Sequence, residues 1–212
     1  AMENSETADF RMRYFNADGS VGSMCGNGAR CLVKYAANAG IEARPLRFET
    51  DAGDYSAELV EEEVRLFIPA YQGFEQLPAD DHGPDRCYLW TGTEHLVVFS
   101  DDVAKAPVGT LGPRLRQTNP PAGANVNFAQ VDAEGLILRT WEKGVEGETL
   151  ACGTGATAAA AAARLTGRLA GETIGVRMSG GTLTIGFHPD GGVRYLEGPA
   201  ETVFRGTLNV PV

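Results

Sequence analysis

The 212-residue chain is 43% hydrophobic and 22% charged, which fits one large domain or two small ones and excludes disorder as the whole answer. A formal charge of 18 − 28 = −10 argues against nucleic acid or an anionic membrane as a partner. No run approaches the ~20 apolar residues of a membrane span, no basic-then-apolar leader is read at the start, and 27 glycines foretell frequent turns.

Taken in order, Phe10-Arg11-Met12-Arg13-Tyr14-Phe15 reads as a strand that leads into a glycine-rich turn. From Cys25-Gly26-Asn27-Gly28-Ala29 runs an alanine-rich helix of about fourteen residues, stopped by Gly40. Val64 to Ala70 reads as a further strand, and the proline- and acid-rich stretch 73–84 as a linker. Strand-like sequence resumes near Cys87, and Leu136 to Trp141 is another strand. Cys152-Gly153-Thr154-Gly155-Ala156 then opens a second alanine-rich helix, stopped by Gly167. Thr182 to Phe187 alternates as a strand, Pro189-Asp190-Gly191-Gly192 turns the chain, and Val193 to Ala200 closes the pattern.

The second half restates the first. Cys152 follows Cys25 by 152 − 25 = 127 residues, and the strand before each cysteine, the glycine after each helix and a later Val-Arg strand recur in the same order. The chain is therefore read as a duplication: an α+β molecule of two pseudo-symmetric halves, 1–72 (with 202–212) and 85–201. Each half is expected to be a mostly antiparallel sheet wrapped around one central helix. Ala156 to Ala163 offers almost no polar face, so burial inside a curved sheet is expected for the second helix.

A cysteine at a helix start sits beside the positive end of the helix dipole and several unpaired N–H groups, which stabilise its thiolate. The glycines that follow let a ligand approach the backbone, so the same helix start can grip a carboxylate. If the halves face each other across a pseudo-twofold axis, Cys25 and Cys152 would flank one cleft from opposite sides. Inverting a stereocentre needs that geometry: a base takes the α-proton and an acid returns one on the other face. The enediolate charge would fall on a substrate carboxylate held by helix N–H groups, which reduces the need for a cofactor as electron sink. Cys31 and Cys87 open no helix and are expected to matter for packing alone. With no CxxC spacing and His82, His95 and His188 far apart, no metal site is expected.

These residues resemble a known family. Asn16-Ala17-Asp18-Gly19-Ser20 with Met24-Cys25-Gly26-Asn27-Gly28-Ala29-Arg30-Cys31 is similar to the first signature of diaminopimelate epimerases. Glu142-Lys143-Gly144 with Glu148-Thr149-Leu150-Ala151-Cys152-Gly153-Thr154-Gly155-Ala156 resembles the second, and Gly92-Thr93-Glu94-His95 and Asn125-Val126-Asn127-Phe128 resemble two further segments. The likeness runs from about Phe10 to Leu208. It implies a cofactor-independent epimerase that converts LL- to meso-2,6-diaminopimelate for lysine and peptidoglycan synthesis, built as two barrels each around a helix. Cys25 and Cys152 match the acid/base pair, and Gly26, Asn27, Gly153 and Thr154 match the positions that hold the reacting carboxylate. Asn16, Thr93, Asn125, Glu142 and Lys143 match positions for the far end of the substrate. His95 and Glu142 match residues that adjust the cysteine pKa values. A cytoplasmic homodimer with reduced thiols, a small amino-acid substrate and no cofactor, metal, nucleic acid or membrane partner is the expectation.

Two departures bear on the substrate: Lys143 stands where arginine is usual, and Thr93-Glu94 where Asn-Pro is common. A point charge replaces a bidentate fork, so a related amino-acid racemase stays open as an alternative. A nucleotide binder is a weaker rival: Gly153-Thr154-Gly155-Ala156-Thr157-Ala158 fits G-x-G-x-x-G/A with Glu172 about 20 residues on, but the strand before it ends ten residues early. A duplicated anion-binding module without turnover is the non-enzymatic rival. Finally, 24 residues precede Cys25, whereas strand-like sequence begins 152 − 87 = 65 residues before Cys152. Roughly 40–50 residues are thus expected to be missing from the first half by the logic of the repeat, with Ala1-Met2 read as a tag remnant. An incomplete first half is expected to self-associate and to have little activity.

Overall fold

The computed structural model describes residues 1–16, 19–22, 24–42, 44–118 and 123–207. Ala17 and Asp18 of the first motif, and Leu208 at the end of the likeness, lie outside them. The chain divides into two compact units, Ala1–Val64 with Pro199–Val212, and Arg65–Gly198.

In the first unit, β1 (Met2–Glu3), β2 (Phe10–Met12), β5 (Leu46–Thr50) and β6 (Gly53–Val60) form a sheet in that order, while β3 (Tyr14–Phe15) and β4 (Val21–Gly22) pair as a separate ribbon. Period-two alternation buries Phe10 and Met12 on one face of β2, and Leu46, Phe48 and Thr50 on one face of β5. The Phe10 and Phe48 rings stack with centroids 5.0 Å apart. Between the ribbon and β5 lies α1 (Gly26–Asn38), which buries Ala29, Val33 and Ala36 at i, i+4 and i+7 and packs against β6. Gly40, at φ 91°, takes the left-handed turn that ends it. The strand β7 (Glu63–Phe67) carries the chain onward.

The second unit holds β8 (Gln72–Leu77), β9 (Arg86–Trp90), β10 (Glu94–Phe99), α2 (Val108–Arg116), β11 (Asn125–Asp132), β12 (Gly135–Glu142), β13 (Gly147–Thr149), α3 (Gly153–Leu165), β14 (Thr173–Met178), β15 (Gly181–Phe187) and β16 (Val193–Pro199). Its sheet runs β16-β15-β14-β12-β11-β10-β9-β8, with β13 paired to β12. Among these pairs only β10/β11 and β12/β14 are parallel. The helix α3 packs on β9, β10, β11, β12, β14 and β15, and Ala156 and Ala158 to Ala163 are 0% exposed. Alanine suits that position because a methyl group is all the space inside a wrapped sheet admits. The mixed α+β class and the buried alanine helix are as the sequence implied.

The duplication appears in the register. In the first unit Phe10 of β2 pairs in parallel with Phe48 of β5; in the second, Leu136 of β12 pairs in parallel with Val176 of β14. In each case the cysteine-led helix is the crossover between the parallel strands. Two features differ from the sequence reading. Residues 73–84, read as a linker, include most of β8, which pairs antiparallel with β9 across a bulge. Its pattern is largely exposed, so it carries little of the apolar alternation that marks a strand. The helix α2 was not foreseen: Gly109, Gly112 and Pro113 all disfavour it, and packing on β11, β12 and β13 overrides them. Among the described residues no helix is long and apolar enough to cross a membrane.

Candidate active site

Both motif cysteines are helix N-caps. Cys25 has extended φ/ψ of −141°/116°, and its Sγ accepts from the Gly28 N–H at 3.5 Å. Cys152, at −129°/107°, accepts from the Gly155 N–H at 3.4 Å. The carbonyls of both cysteines take the next donors, from Ala29 and Ala156. Each sulfur thus stands over the first turn of a thirteen-residue helix. The Gly26 and Asn27 N–H groups in the first unit, and those of Gly153 and Thr154 in the second, precede the first internal helical bond and are the orphan donors such a start leaves. These are the positions expected to hold a carboxylate.

Around the first helix start, Arg30 is a residue the sequence reading missed. It is only 8% exposed, and it donates from Nη2 to Asn27 Oδ1 at 3.0 Å and from Nη1 to the Gly26 carbonyl at 3.4 Å. Burial pushes its pKa down, while Cys31, Cys25 and Glu63 pull it back up. Arg30 therefore fixes the Asn27 side chain and sets a positive charge beside the Cys25 helix start. Asn16 lies in the ribbon that precedes the helix. It is exposed and closes the β3–β4 turn, its N–H bonded to the Ser20 carbonyl at 2.8 Å and its Nδ2 to Ser20 Oγ at 3.0 Å.

The second helix start is backed by a buried polar network. His95, 0% exposed, receives a hydrogen bond at Nδ1 from Asn127 Nδ2, 3.0 Å away. The same amide nitrogen donates to the Leu96 carbonyl at 3.0 Å. A carbonyl only accepts, which fixes the Asn127 amide and makes Nδ1 the acceptor nitrogen of the imidazole. The ring proton therefore lies on Nε2, which is buried without a partner among the described residues. Burial, with Lys143 adding to it and Glu94 opposing, lowers the His95 pKa to about 3. The residue is a neutral donor at working pH. Asn127 Oδ1 accepts from Thr140 Oγ1 at 2.9 Å, and a Cβ on Gly155 would come within 2.3 Å of that oxygen. The absence of a side chain at Gly155 is what lets the helix start seat against Asn127. Thr91 ties the loop after β9 to the same turn, its Oγ1 donating to the Thr154 carbonyl at 2.9 Å.

Of the residues expected at the far end of a substrate, Thr93, Asn125 and Lys143 are brought together within this unit, with Glu142 next to Lys143 in the chain, whereas Asn16 belongs to the first unit. The Lys143 N–H donates to Asn125 Oδ1 at 2.9 Å, and Asn125 Nδ2 donates to the Glu94 carbonyl at 3.3 Å. Lys143 Nζ lies 2.6 Å from Glu94 Oε2 and 3.3 Å from the Gly123 carbonyl, and Thr93 Oγ1 donates to Glu94 Oε2 at 3.1 Å. Glu142 is half-buried at the end of β12. Cys87 is buried on β9 and Cys31 is exposed, and no disulfide forms among the described residues.

Comparison with known proteins accords with this geometry. The sequence matches the profile of the family described as diaminopimelate epimerase over residues 1–72 and 87–203. It is 42% identical over 218 residues to the diaminopimelate epimerase of Chlorobaculum tepidum, covering 99% of this chain and 84% of that protein. The corresponding enzyme of Aquifex aeolicus is 42% identical over 212 residues, covering 96% and 76%. The fold is shared with a phenazine biosynthesis protein of the PhzF family from Enterococcus faecalis, with a TM-score of 0.75 at 18% identity over 97% of this chain and 80% of that one. It is also shared with a hydroxyproline epimerase from Agrobacterium vitis, with a TM-score of 0.66 at 16% identity over 92% and 69%. With the profile spanning both cysteine-capped helices and relatives at this identity matched over nearly the whole of this chain, the chain belongs to the diaminopimelate epimerase family.

Proposed function

We propose that this chain inverts one α-carbon of LL-2,6-diaminopimelate to give the meso isomer, with Cys25 and Cys152 as its base and acid. The observation that carries the reading is the pair of helices, one in each half of a duplicated family member, each capped by a cysteine whose sulfur accepts from the first turn. One thiolate takes the α-proton, and the electron pair passes into the substrate carboxylate as an enediolate. The other thiol returns a proton to the opposite face, so the two cysteines finish with thiol and thiolate exchanged. The N–H groups of Gly26, Asn27, Gly153 and Thr154 stabilise the charge on the reacting carboxylate; donors of this kind are worth about 2.7–4 kcal/mol each where removal has been measured. His95 and Glu142 tune the thiols, and because His95 is neutral it acts as a hydrogen-bond donor and not as a charge. Asn16, Thr93, Asn125, Glu142 and Lys143 receive the far end of the substrate. The reading includes a cytoplasmic homodimer, whose mass sedimentation equilibrium would measure.

Incubation in deuterated water tests the chemistry directly. Wild-type protein is expected to exchange the α-proton of diaminopimelate for solvent deuterium and to interconvert its LL and meso forms. Cys25→Ala and Cys152→Ala are each expected to abolish interconversion, while Cys31→Ala, at an exposed position, retains it. Near-wild-type turnover by either N-cap variant would refute the two-cysteine assignment.

A further inference from the structure

We infer that Glu94 sets specificity at the far end of the substrate, pairing with Lys143 to read a distal ammonium and carboxylate together and to disfavour a distal carboxylate that has no ammonium beside it. This rests on the epimerase reading above and concerns which amino acids that reaction accepts.

The two heads are held in place by their own backbones. The Lys143 N–H is fixed by Asn125 Oδ1 and the Glu94 carbonyl by Asn125 Nδ2, so one asparagine sets the spacing of the strand ends that carry the pair. Thr93 Oγ1 orients the carboxylate from its other side. The side chains are 22% and 28% exposed, close enough to solvent for a ligand to reach and shielded enough for the charges to count. Each head keeps capacity for a ligand. The ammonium has three donors, of which two go to Glu94 and the Gly123 carbonyl; the carboxylate accepts from Lys143, Thr93 and its own backbone N–H, which leaves room on its roughly four acceptor sites for a ligand.

The Glu94–Lys143 pair therefore carries no net charge of its own. A lone lysine would attract any distal carboxylate. With Glu94 within 2.6 Å of Nζ, a bare carboxylate meets repulsion as well as attraction. A terminus that carries both an ammonium and a carboxylate satisfies both heads at once. Neither residue alone makes that distinction.

The test compares diaminopimelate with 2-aminopimelate, which keeps the chain length and distal carboxylate but lacks the distal ammonium. The readout is kcat/KM for α-deuterium exchange by wild type, Glu94→Gln, Glu94→Asp and Lys143→Met. Wild type is expected to prefer diaminopimelate by at least roughly tenfold, the discrimination a charged hydrogen bond supplies. Glu94→Gln is expected to lower the diaminopimelate value roughly 10- to 100-fold and to leave 2-aminopimelate unchanged or improved, so that the preference collapses. Glu94→Asp, which keeps the charge, should restore part of it. Lys143→Met should weaken both substrates. If Glu94→Gln lowers both substrates by the same factor, or neither, the residue is a structural partner of Lys143 and the assignment is overturned. Absence of exchange on diaminopimelate by wild type would instead overturn the epimerase reading, and this assignment with it.

Discussion

Replacing His95 by glutamine is expected to remove a specific acid sensitivity from the fold. Free histidine titrates near 6.5, whereas burial holds His95 at about 3, with Lys143 adding to the effect and Glu94 opposing it. Between those values the unfolded chain binds a proton that the folded chain refuses. Stability from this residue is therefore fully present above pH 6.5 and is lost as pH falls toward 3. At 1.36 kcal/mol per unit the whole window amounts to roughly 4–5 kcal/mol, and the part between pH 7 and pH 5 to about 2 kcal/mol. Urea unfolding of wild type and His95→Gln at pH 7, 6 and 5 measures it. The variant is expected to be less stable at pH 7 because Asn127 loses a partner, with the gap narrowing as pH falls. The diagnostic quantity is the slope, which should be shallower in the variant by about 1 kcal/mol per pH unit below 6.5. Carbon and proton shifts of the imidazole should stay flat down to about pH 4, in the Nε2–H form. Parallel slopes, or an imidazole that titrates near 6.5 in the folded protein, would refute the argument that burial keeps this residue neutral.

Two further expectations concern packing. Gly155→Ala drives a Cβ to 2.3 Å from Asn127 Oδ1, whereas Gly28→Ala meets first the flexible Met12 Cε at 3.3 Å. The Gly155 variant should lose roughly 1–3 kcal/mol and at least tenfold in exchange rate, the Gly28 variant much less of either, as thermal unfolding and deuterium exchange would show. Equal losses at both positions would refute the Asn127 contact as the cause. Ala160→Leu, placed where the α3 surface is 0% exposed, should cost about 1–3 kcal/mol or more by overpacking, and a variant as stable as wild type by urea unfolding would mean that the helix is not enclosed as described.

The parts of the site that could be read from sequence are those where residue type and backbone conformation coincide locally. A cysteine followed by glycines and then alanines specifies a capped helix within six residues, and its recurrence 127 positions later gave both helix starts at once. The helix stops at Gly40 and Gly167 are local in the same sense. The helix α2 is the opposite case. Its glycines and proline point away from a helix, and at Gly112 a side chain would meet the Trp141 side chain at 2.7 Å, a residue 29 positions away (141 − 112). Arg30 and Asn127 were legible only in part. Each polar group is buried by its tertiary surroundings, although an asparagine inside a run as apolar as Val126 to Val131 is disfavoured in a strand and could have drawn notice.

The far end of the site shows why substitutions judged one position at a time mislead. From sequence, Glu94 and Lys143 are two separate departures from a pattern, each of which weakens the expected grip on the substrate. In the fold they lie 2.6 Å apart, joined through Asn125 and Thr93, and form one unit. A lysine in place of a forked guanidinium is a weaker partner for a carboxylate and cannot grip it bidentately. The same compact ammonium can accept a neighbouring carboxylate and still keep a donor for a ligand. Glutamate at 94 has a partner because lysine is at 143, and lysine at 143 is oriented because glutamate is at 94. Their contributions should therefore be non-additive. In a double-mutant cycle on kcat/KM for diaminopimelate, Glu94→Gln with Lys143→Met should cost less than the two single losses combined.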